Sequence, residues 1–237
     1  MFPVAILAGG LATRLRPITQ TIPKSLIEVA GKPFIDHQLD YLSRQGITSV
    51  VLCIGYLGEM IKHVVEDGSR WGLQVSYSPD GPVLLGTGGA LKQAIPMLGE
   101  HFFILYGDSY LPINYAEVQA AFIDNNQLSL ITVLKNKNQW DRSNVQFELG
   151  KLIEYNKDVT SSSMNYIDYG LGVMRASALI RYPNGEPFEL SKVYYDLSLH
   201  KQLAGYEVSE RFYEIGSYQG IADTQGYLLQ KINKDDL

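Results

Sequence analysis

Short apolar runs alternate with segments whose apolar positions recur at helical spacing through the first half of the chain. Val4 to Leu7 reads as a strand, Phe34 to Arg44 as an amphipathic helix, Ser49 to Ile54 as a second strand and Leu57 to Glu66 as a second helix. A strand over Gln74 to Ser78, a helix near Gly89 to Leu98 and a strand over Phe102 to Leu105 continue the alternation, and the last strand stops at Gly107-Asp108. Parallel strands joined by helical crossovers predict an α/β fold: a doubly wound, mostly parallel sheet with helices on both faces. Such sheets bind ligands outside the carboxyl ends of their strands. Gly9-Gly10 and Asp108 both fall at such ends.

Beyond a helix near Tyr115 to Asn125 the pattern changes. Leu128 to Lys135, Asn144 to Phe147, Lys151 to Tyr155 and Tyr166 to Met174 read as strands joined by short polar turns, a mixed extension of the same sheet. The polar run Asp158 to Asn165 reads as a mobile loop, because strand patterning resumes directly after it. A last helix-like stretch, Gln219 to Lys231, follows Phe212-Tyr213-Glu214-Ile215-Gly216-Ser217. No composition shift marks a linker, so residues 1–237 are expected to form one domain, with 1–110 and 111–237 as its two halves.

The net charge of −5 comes without a basic tail or stripe, which argues against a nucleic-acid partner. The single cysteine, Cys53, lies inside an apolar run and is read as a buried strand residue; alone, it excludes an intramolecular disulfide framework. The first strand begins without a basic and apolar leader, and no apolar segment approaches 18 residues, so a soluble, cytoplasmic protein without a membrane partner is expected. A homo-oligomeric state is left open.

The chemistry concentrates in Leu7-Ala8-Gly9-Gly10-Leu11-Ala12-Thr13-Arg14-Leu15-Arg16-Pro17-Ile18-Thr19 and the following Pro23-Lys24-Ser25-Leu26. Adjacent glycines let the chain turn and bring bare N–H groups to a ligand. Arg14 can fork onto phosphate oxygens, and Lys24 supplies a point charge. Together these make a cradle for a triphosphate. The spacing matches neither a G-x-x-x-x-G-K-[ST] phosphate loop nor a G-x-G-x-x-G dinucleotide fingerprint. Asp108, directly after an apolar strand, is placed to ligate a hard cation through oxygen, and Mg2+ is the natural choice beside a triphosphate.

The segment from Leu7 to Leu26 resembles the N-terminal signature of the sugar-phosphate nucleotidylyltransferases, which join a sugar 1-phosphate to a nucleoside triphosphate and release pyrophosphate. The resemblance spans nearly the whole chain and is most specific in its first 110 residues. It implies a Rossmann-like nucleotidyltransferase sheet with a sugar-binding extension, the nucleotide half at 1–110 and the sugar-phosphate half at 111–237. Some members carry a C-terminal β-helix of hexapeptide repeats; no such period occurs here, so a short, catalytic-domain form is expected. Leu7, Ala8, Gly9, Gly10 and Thr13 correspond to its nucleotide cradle, and Gly107-Asp108 resembles its metal-binding Gly-Asp. Asp80, Gly86, Thr87 and Gly88, within Ser78-Pro79-Asp80-Gly81-Pro82-Val83-Leu84-Leu85-Gly86-Thr87-Gly88-Gly89-Ala90, resemble the base-reading loop of the heptose 1-phosphate guanylyltransferase branch. Asp67 to Leu73 and Tyr77-Ser78-Pro79 resemble the N-acetylmuramate 1-phosphate uridylyltransferase branch.

Glu214 stands where the family usually shows Asp in an Asp-x-Gly-Thr pattern, which implies a second carboxylate on the metal of Asp108. Glu154 and Lys157 fall where members place a Glu and a Lys against the sugar phosphate, although closer together than here. Asp168 and Gly170 fall along the sugar. The implied reaction is attack of a sugar 1-phosphate oxygen on the α-phosphorus, pyrophosphate leaving toward Arg14, with Mg2+ on Asp108 and Glu214 and with Lys24 neutralising charge. Two other functions use the same cradle. A cytidylyltransferase acting on a small phosphate or phosphonate would need an aromatic cage, for which the chain has 16 tyrosines to draw on; a regulatory homologue would bind nucleotide sugar without turnover. Neither the base nor the sugar is legible.

Overall fold

The computed structural model describes residues 1–136 and 139–235. Four parallel strands build the first half: β1 (Val4–Leu7), β2 (Ser49–Ile54), β3 (Gln74–Pro79) and β4 (His101–Tyr106). Their spatial order is β3-β2-β1-β4. The chain steps outward from β1 to β3 and then returns to the other side of β1, so the crossovers diverge between β1 and β4. In an open parallel sheet that divergence leaves a crevice at the carboxyl ends, the usual ligand site.

The alternation of β1 explains its covering helices. Val4 and Ile6 pack into a core with Ile35, Leu39 and Leu42 of α1 (Phe34–Arg44) and Ile61 and Val65 of α2 (Gly58–Val65). Ala5 and Leu7 face the other way, onto Leu91, Ala94 and Leu98 of α3 (Gly86–Leu98). A strand buried on both faces reads as a continuous apolar run, as Val4-Ala5-Ile6-Leu7 does.

The second half contains α4 (Tyr115–Asp124), β5 (Ser129–Lys135), β6 (Val145–Glu148), β7 (Lys151–Tyr155), β8 (Tyr166–Arg175), α5 (Leu190–Leu199), β9 (Leu203–Val208) and α6 (Tyr218–Asp235). β8 runs antiparallel to β4 and to β5, while β9 joins β5 in parallel. The β6–β7 hairpin attaches where Val145 meets Tyr166. Both halves therefore share one sheet, and the extension is mixed, as its patterning predicts. Two short strands, Ser109–Tyr110 and Tyr213–Glu214, pair antiparallel off the main sheet. No helix among the described residues is long and apolar enough to cross a membrane.

Three features differ from the sequence expectation. Helix α3 starts at Gly86 rather than Gly89, so Gly86, Thr87 and Gly88 form its first turn instead of a loop. Helix α5 and strand β9 are unforeseen, because serines and tyrosines dilute the apolar period of α5 and Gly205, Tyr206 and Glu207 break the alternation of β9. Finally, neither Gly9 nor Gly10 has a left-handed backbone; Ala12 does, at φ +48°.

Candidate active site

At the switch point the end of β1 is tied to both neighbours. Gly107 N–H donates to the Leu7 carbonyl at 2.9 Å, and Ala8 N–H to that of Cys53 at 2.9 Å. A cavity of about 600 Å³ opens beyond these bonds. Leu7, Ala8, Gly9, Gly10, Thr13 and Lys24 line it from the first loop, Asp80, Gly86 and Thr87 from the region around the start of α3, and Asp108 from the end of β4. Gly9 is needed for close approach, since a β-carbon there would stand 3.0 Å from the Gly55 nitrogen. Around Gly10 the corresponding space is empty to 4 Å, leaving that stretch of backbone unobstructed. Thr19 Oγ1 donates to the Ala12 carbonyl at 2.8 Å and holds the loop in its turn. Arg14 lies in the adjoining short helical turn Thr13–Leu15, exposed, and it does not line the cavity; Leu15 anchors that turn in the core.

Lys24 follows the extended Pro23, and its Nζ sits 2.7 Å from Asp108 Oδ2. The turn carrying Asp108 is fixed from behind. The Gln38 amide on α1 donates to the Tyr106 carbonyl at 2.9 Å and the Ser109 carbonyl at 2.7 Å, spanning Gly107-Asp108. From the other side, Ile215 N–H donates to the Asp108 carbonyl at 2.9 Å, which brings Glu214 alongside. The Glu214 carboxylate bends back to accept from Gly216 N–H and from Ser217 Oγ. A β-carbon at Gly216 would lie against that carboxylate and 3.8 Å from Asp108 Oδ2, so both acids meet at this glycine. Burial raises the Glu214 pKa, and the nearby Asp108 charge adds to the effect.

Asp80 is buried beside the cavity, with Oδ2 accepting Leu85 N–H at 3.1 Å and Oδ1 lacking a protein partner. Burial raises its pKa, and the Leu85 bond partly opposes that. Gly86 and Thr87 line the cavity, while Gly88 is buried beneath Phe188 and donates its N–H to the Phe188 carbonyl at 2.9 Å. Cys53 lies on the cavity floor, buried, with its thiol pushed up to about 12 by burial; it is inert packing, as its apolar run suggests.

The residues expected along the sugar lie away from the cavity lining. Glu154 is half-buried on β7 and Lys157 exposed beyond it. Asp168 and Gly170 occupy an irregular stretch of β8, where the register jumps between Asp168 opposite Val133 and Gly172 opposite Ile131. The extra residues re-aim the strand locally, and Gly170 N–H donates to Asp168 Oδ1 at 3.0 Å. Tyr155 lies close enough to the same carboxylate to favour its charged form, with Tyr106 and Tyr194 in electrostatic reach. Burial pushes Asp168 up to about 6, against the opposing pull of the Gly170 bond and the Lys157 charge. The structure thus joins Lys157 to Asp168 electrostatically and Asp168 to Tyr106, whose ring lines the cavity.

Sequence patterning missed Gln38, Tyr106 and Glu189. The first two are hidden inside an amphipathic helix and an apolar strand, and the third precedes a helix that was not foreseen. Ser25, beside Lys24, lines the cavity with a buried hydroxyl lacking a protein partner.

Residues 4–143, more than half of the chain, match the nucleotidyl transferase family. N-acetylmuramate alpha-1-phosphate uridylyltransferase of Neisseria meningitidis is 40% identical over 111 residues, covering 46% of this chain and 48% of that protein. D-glycero-alpha-D-manno-heptose 1-phosphate guanylyltransferase of Campylobacter jejuni is 34% identical over 137 residues, covering 58% and 59%. The chain thus spans about half the length of these curated relatives. A Bacillus anthracis protein solved in complex with sucrose superposes with a TM-score of 0.83 over 96% of this chain and 95% of its own, at 17% identity. That likeness is one of fold.

Proposed function

The chain belongs to the nucleotidyl transferase family, and on that premise we propose that it joins a sugar 1-phosphate to a nucleoside triphosphate, giving a nucleoside diphosphate sugar and pyrophosphate. The observation that carries this reading is the Lys24–Asp108 pair lining the cavity together with the bare Gly9-Gly10 backbone, at the crevice the strand order creates, with Glu214 meeting Asp108 at Gly216. Two curated relatives with sugar 1-phosphate substrates in their names support it.

The reaction brings two anions together. A phosphate oxygen of the sugar 1-phosphate attacks the α-phosphorus in line, and the bond to the β-phosphate breaks as pyrophosphate leaves. Unit charges about 4 Å apart repel by roughly 4 kcal/mol at an effective dielectric near 20, so cations must stand between the reactants. Lys24 supplies one fixed charge, and the Gly9-Gly10 backbone offers N–H groups to the phosphates. Arg14 adds a cation at the rim, toward the departing pyrophosphate. Asp108 and Glu214 would suit Mg2+, since both offer carboxylate oxygens and the two side chains meet at Gly216. Mg2+ is held by one or two carboxylates plus substrate phosphates, and when bound it neutralises those phosphates. Asp80 and the start of α3 face the nucleoside, while Glu154, Lys157, Asp168 and Gly170 serve the sugar-phosphate side.

The cytidylyltransferase alternative gains no support, because Tyr155 and Tyr194 are buried and packed edge-to-face at 5.6 Å rather than opened as a cage. The proposal is tested by mixing the protein with each common nucleoside triphosphate, Mg2+ and a panel of mannose, glucose, heptose and N-acetylmuramate 1-phosphates. A nucleotide sugar detected by mass spectrometry is the expected result. Nucleotide binding without product from any pair would identify a silent regulatory homologue instead.

A further inference from the structure

Helix α5 begins at Leu190, with Glu189 at the position where a polar side chain ordinarily turns back to bond the free N–H groups of its own helix. Glu189 does not make that bond. The Leu190 N–H is received instead by Thr87 Oγ1 of α3, at 2.8 Å, and the Thr87 hydroxyl donates onward to Glu189 Oε2 at 2.7 Å. Thr87 therefore spends its proton on Glu189 and its oxygen on α5. It clasps the two helix starts where it lines the cavity, with its hydroxyl engaged on both sides.

One carboxylate oxygen of Glu189 is thereby fixed, and the other is directed by it. Oε1 lies over Gly86, whose missing β-carbon would stand only 2.9 Å away and whose φ is +66°. Glu189 lines the cavity with Gly86 and Thr87, and its side chain is exposed there. Among the described residues no cation is paired with it, unlike Asp108, which holds Lys24. A carboxylate oxygen accepts hydrogen bonds and is a poor neighbour for phosphate, so Oε1 suits an N–H or O–H donor away from the triphosphate.

We propose that Glu189 is a substrate-contacting residue, accepting a hydrogen bond through Oε1 from an N–H or O–H donor on the nucleoside part of the bound nucleotide. This rests on the nucleotidylyl-transfer reading above. The nucleoside is preferred over the sugar because Glu189 shares its wall with Gly86 and Thr87 at the start of α3, whereas Asp168 and Lys157 lie off the cavity lining.

The test measures binding rather than turnover. Titration calorimetry compares wild type, Glu189→Gln and Glu189→Ala with the four common nucleoside triphosphates and with inorganic pyrophosphate, each without sugar phosphate. Glu189→Gln keeps an oxygen for the Thr87 hydroxyl, so its melting temperature should match wild type, while its affinity for the preferred triphosphate falls about tenfold, the size of one hydrogen bond to a charged group. Pyrophosphate affinity should be unchanged. Thr87→Val separates the clasp from the contact: it should lower the melting temperature more than Glu189→Gln does. Wild-type triphosphate affinity in Glu189→Gln overturns the proposal, as does an equal loss of pyrophosphate binding. In a separate titration with the sugar 1-phosphate alone, a tenfold loss there in place of the loss for triphosphate moves the contact to the sugar and overturns the nucleoside assignment. Wild-type protein that binds no triphosphate defeats the underlying function instead.

Discussion

Lys24 and Asp108 show how the same contact differs in weight between stability and catalysis. Their side chains are 23% and 29% exposed, so the pair contributes no more to folding than other solvent-screened ion pairs, about 1 kcal/mol at most. In the transfer proposed above, the lysine charge would face phosphate reactants in the cavity it lines. Lys24→Ala should therefore fold normally and lose at least about 100-fold in turnover, the effect of removing one donor aimed at transition-state charge. Near-normal kcat in the folded variant would remove Lys24 from the mechanism. Glu214 is subtler, because its carboxylate already accepts from Gly216 and Ser217. Glu214→Gln keeps one oxygen for the Gly216 N–H, turns its amide NH2 as a donor toward the Ser217 hydroxyl, and removes the charge, so the Mg2+ concentration for half-maximal rate should rise while metal-free melting changes little. Asp168 links pH to stability. Its pKa is raised from 3.8 to about 6 on folding, so the folded state holds this proton more tightly; its contribution is complete below about pH 4 and is lost as pH rises through about 6. Thermal melts from pH 4 to 8 should show that decline in wild type and its absence in Asp168→Asn.

At the scale of elements, periodicity made the parallel half legible, because each strand there is either wholly apolar or bounded by turn residues and each helix has one buried stripe. Local chemistry also fixes boundaries. Asn114 caps α4, its Oδ1 accepting Ala116 N–H at 3.0 Å and Glu117 N–H at 3.4 Å, while Asn114 Nδ2 bonds the Glu117 carboxylate at 2.9 Å. Asn114→Ala should lower stability by about 1 kcal/mol in denaturant melts and leave kcat unchanged, since Asn114 is exposed and does not line the cavity. What sequence could not supply is chemistry that depends on neighbours distant in the chain. The start of α3 is drawn back to Gly86 by Phe188 and Glu189, a hundred residues on, and α5 itself is held by Thr87. The turn of the first loop fell to Ala12 rather than to the glycines, whose absent side chains serve close approach at Gly9 and open space at Gly10.

For the whole molecule, the strand order converts scattered motifs into one site. Gly9-Gly10, Lys24 and Asp108 were legible because each adjoins the end of a strongly apolar strand or a loop proline, and the β1–β4 switch point brings them together. Glu214 was legible only by resemblance; its proximity to Asp108 arises from the small pairing of Tyr213–Glu214 with Ser109–Tyr110. Base and sugar were not legible, since residue types alone do not say how side chains such as Asp80 and Asp168 are presented. The transfer proposed for this cleft is attack of a sugar 1-phosphate on the α-phosphorus of a nucleoside triphosphate. Its most direct measurement follows radiolabel from triphosphate labelled separately at the α- and γ-positions, with Mg2+ and the preferred sugar 1-phosphate. Attack at the α-phosphorus puts α-label in the nucleotide sugar and γ-label in pyrophosphate, and both products disappear in excess EDTA; γ-label appearing on the sugar, or released as inorganic phosphate, would rule that transfer out.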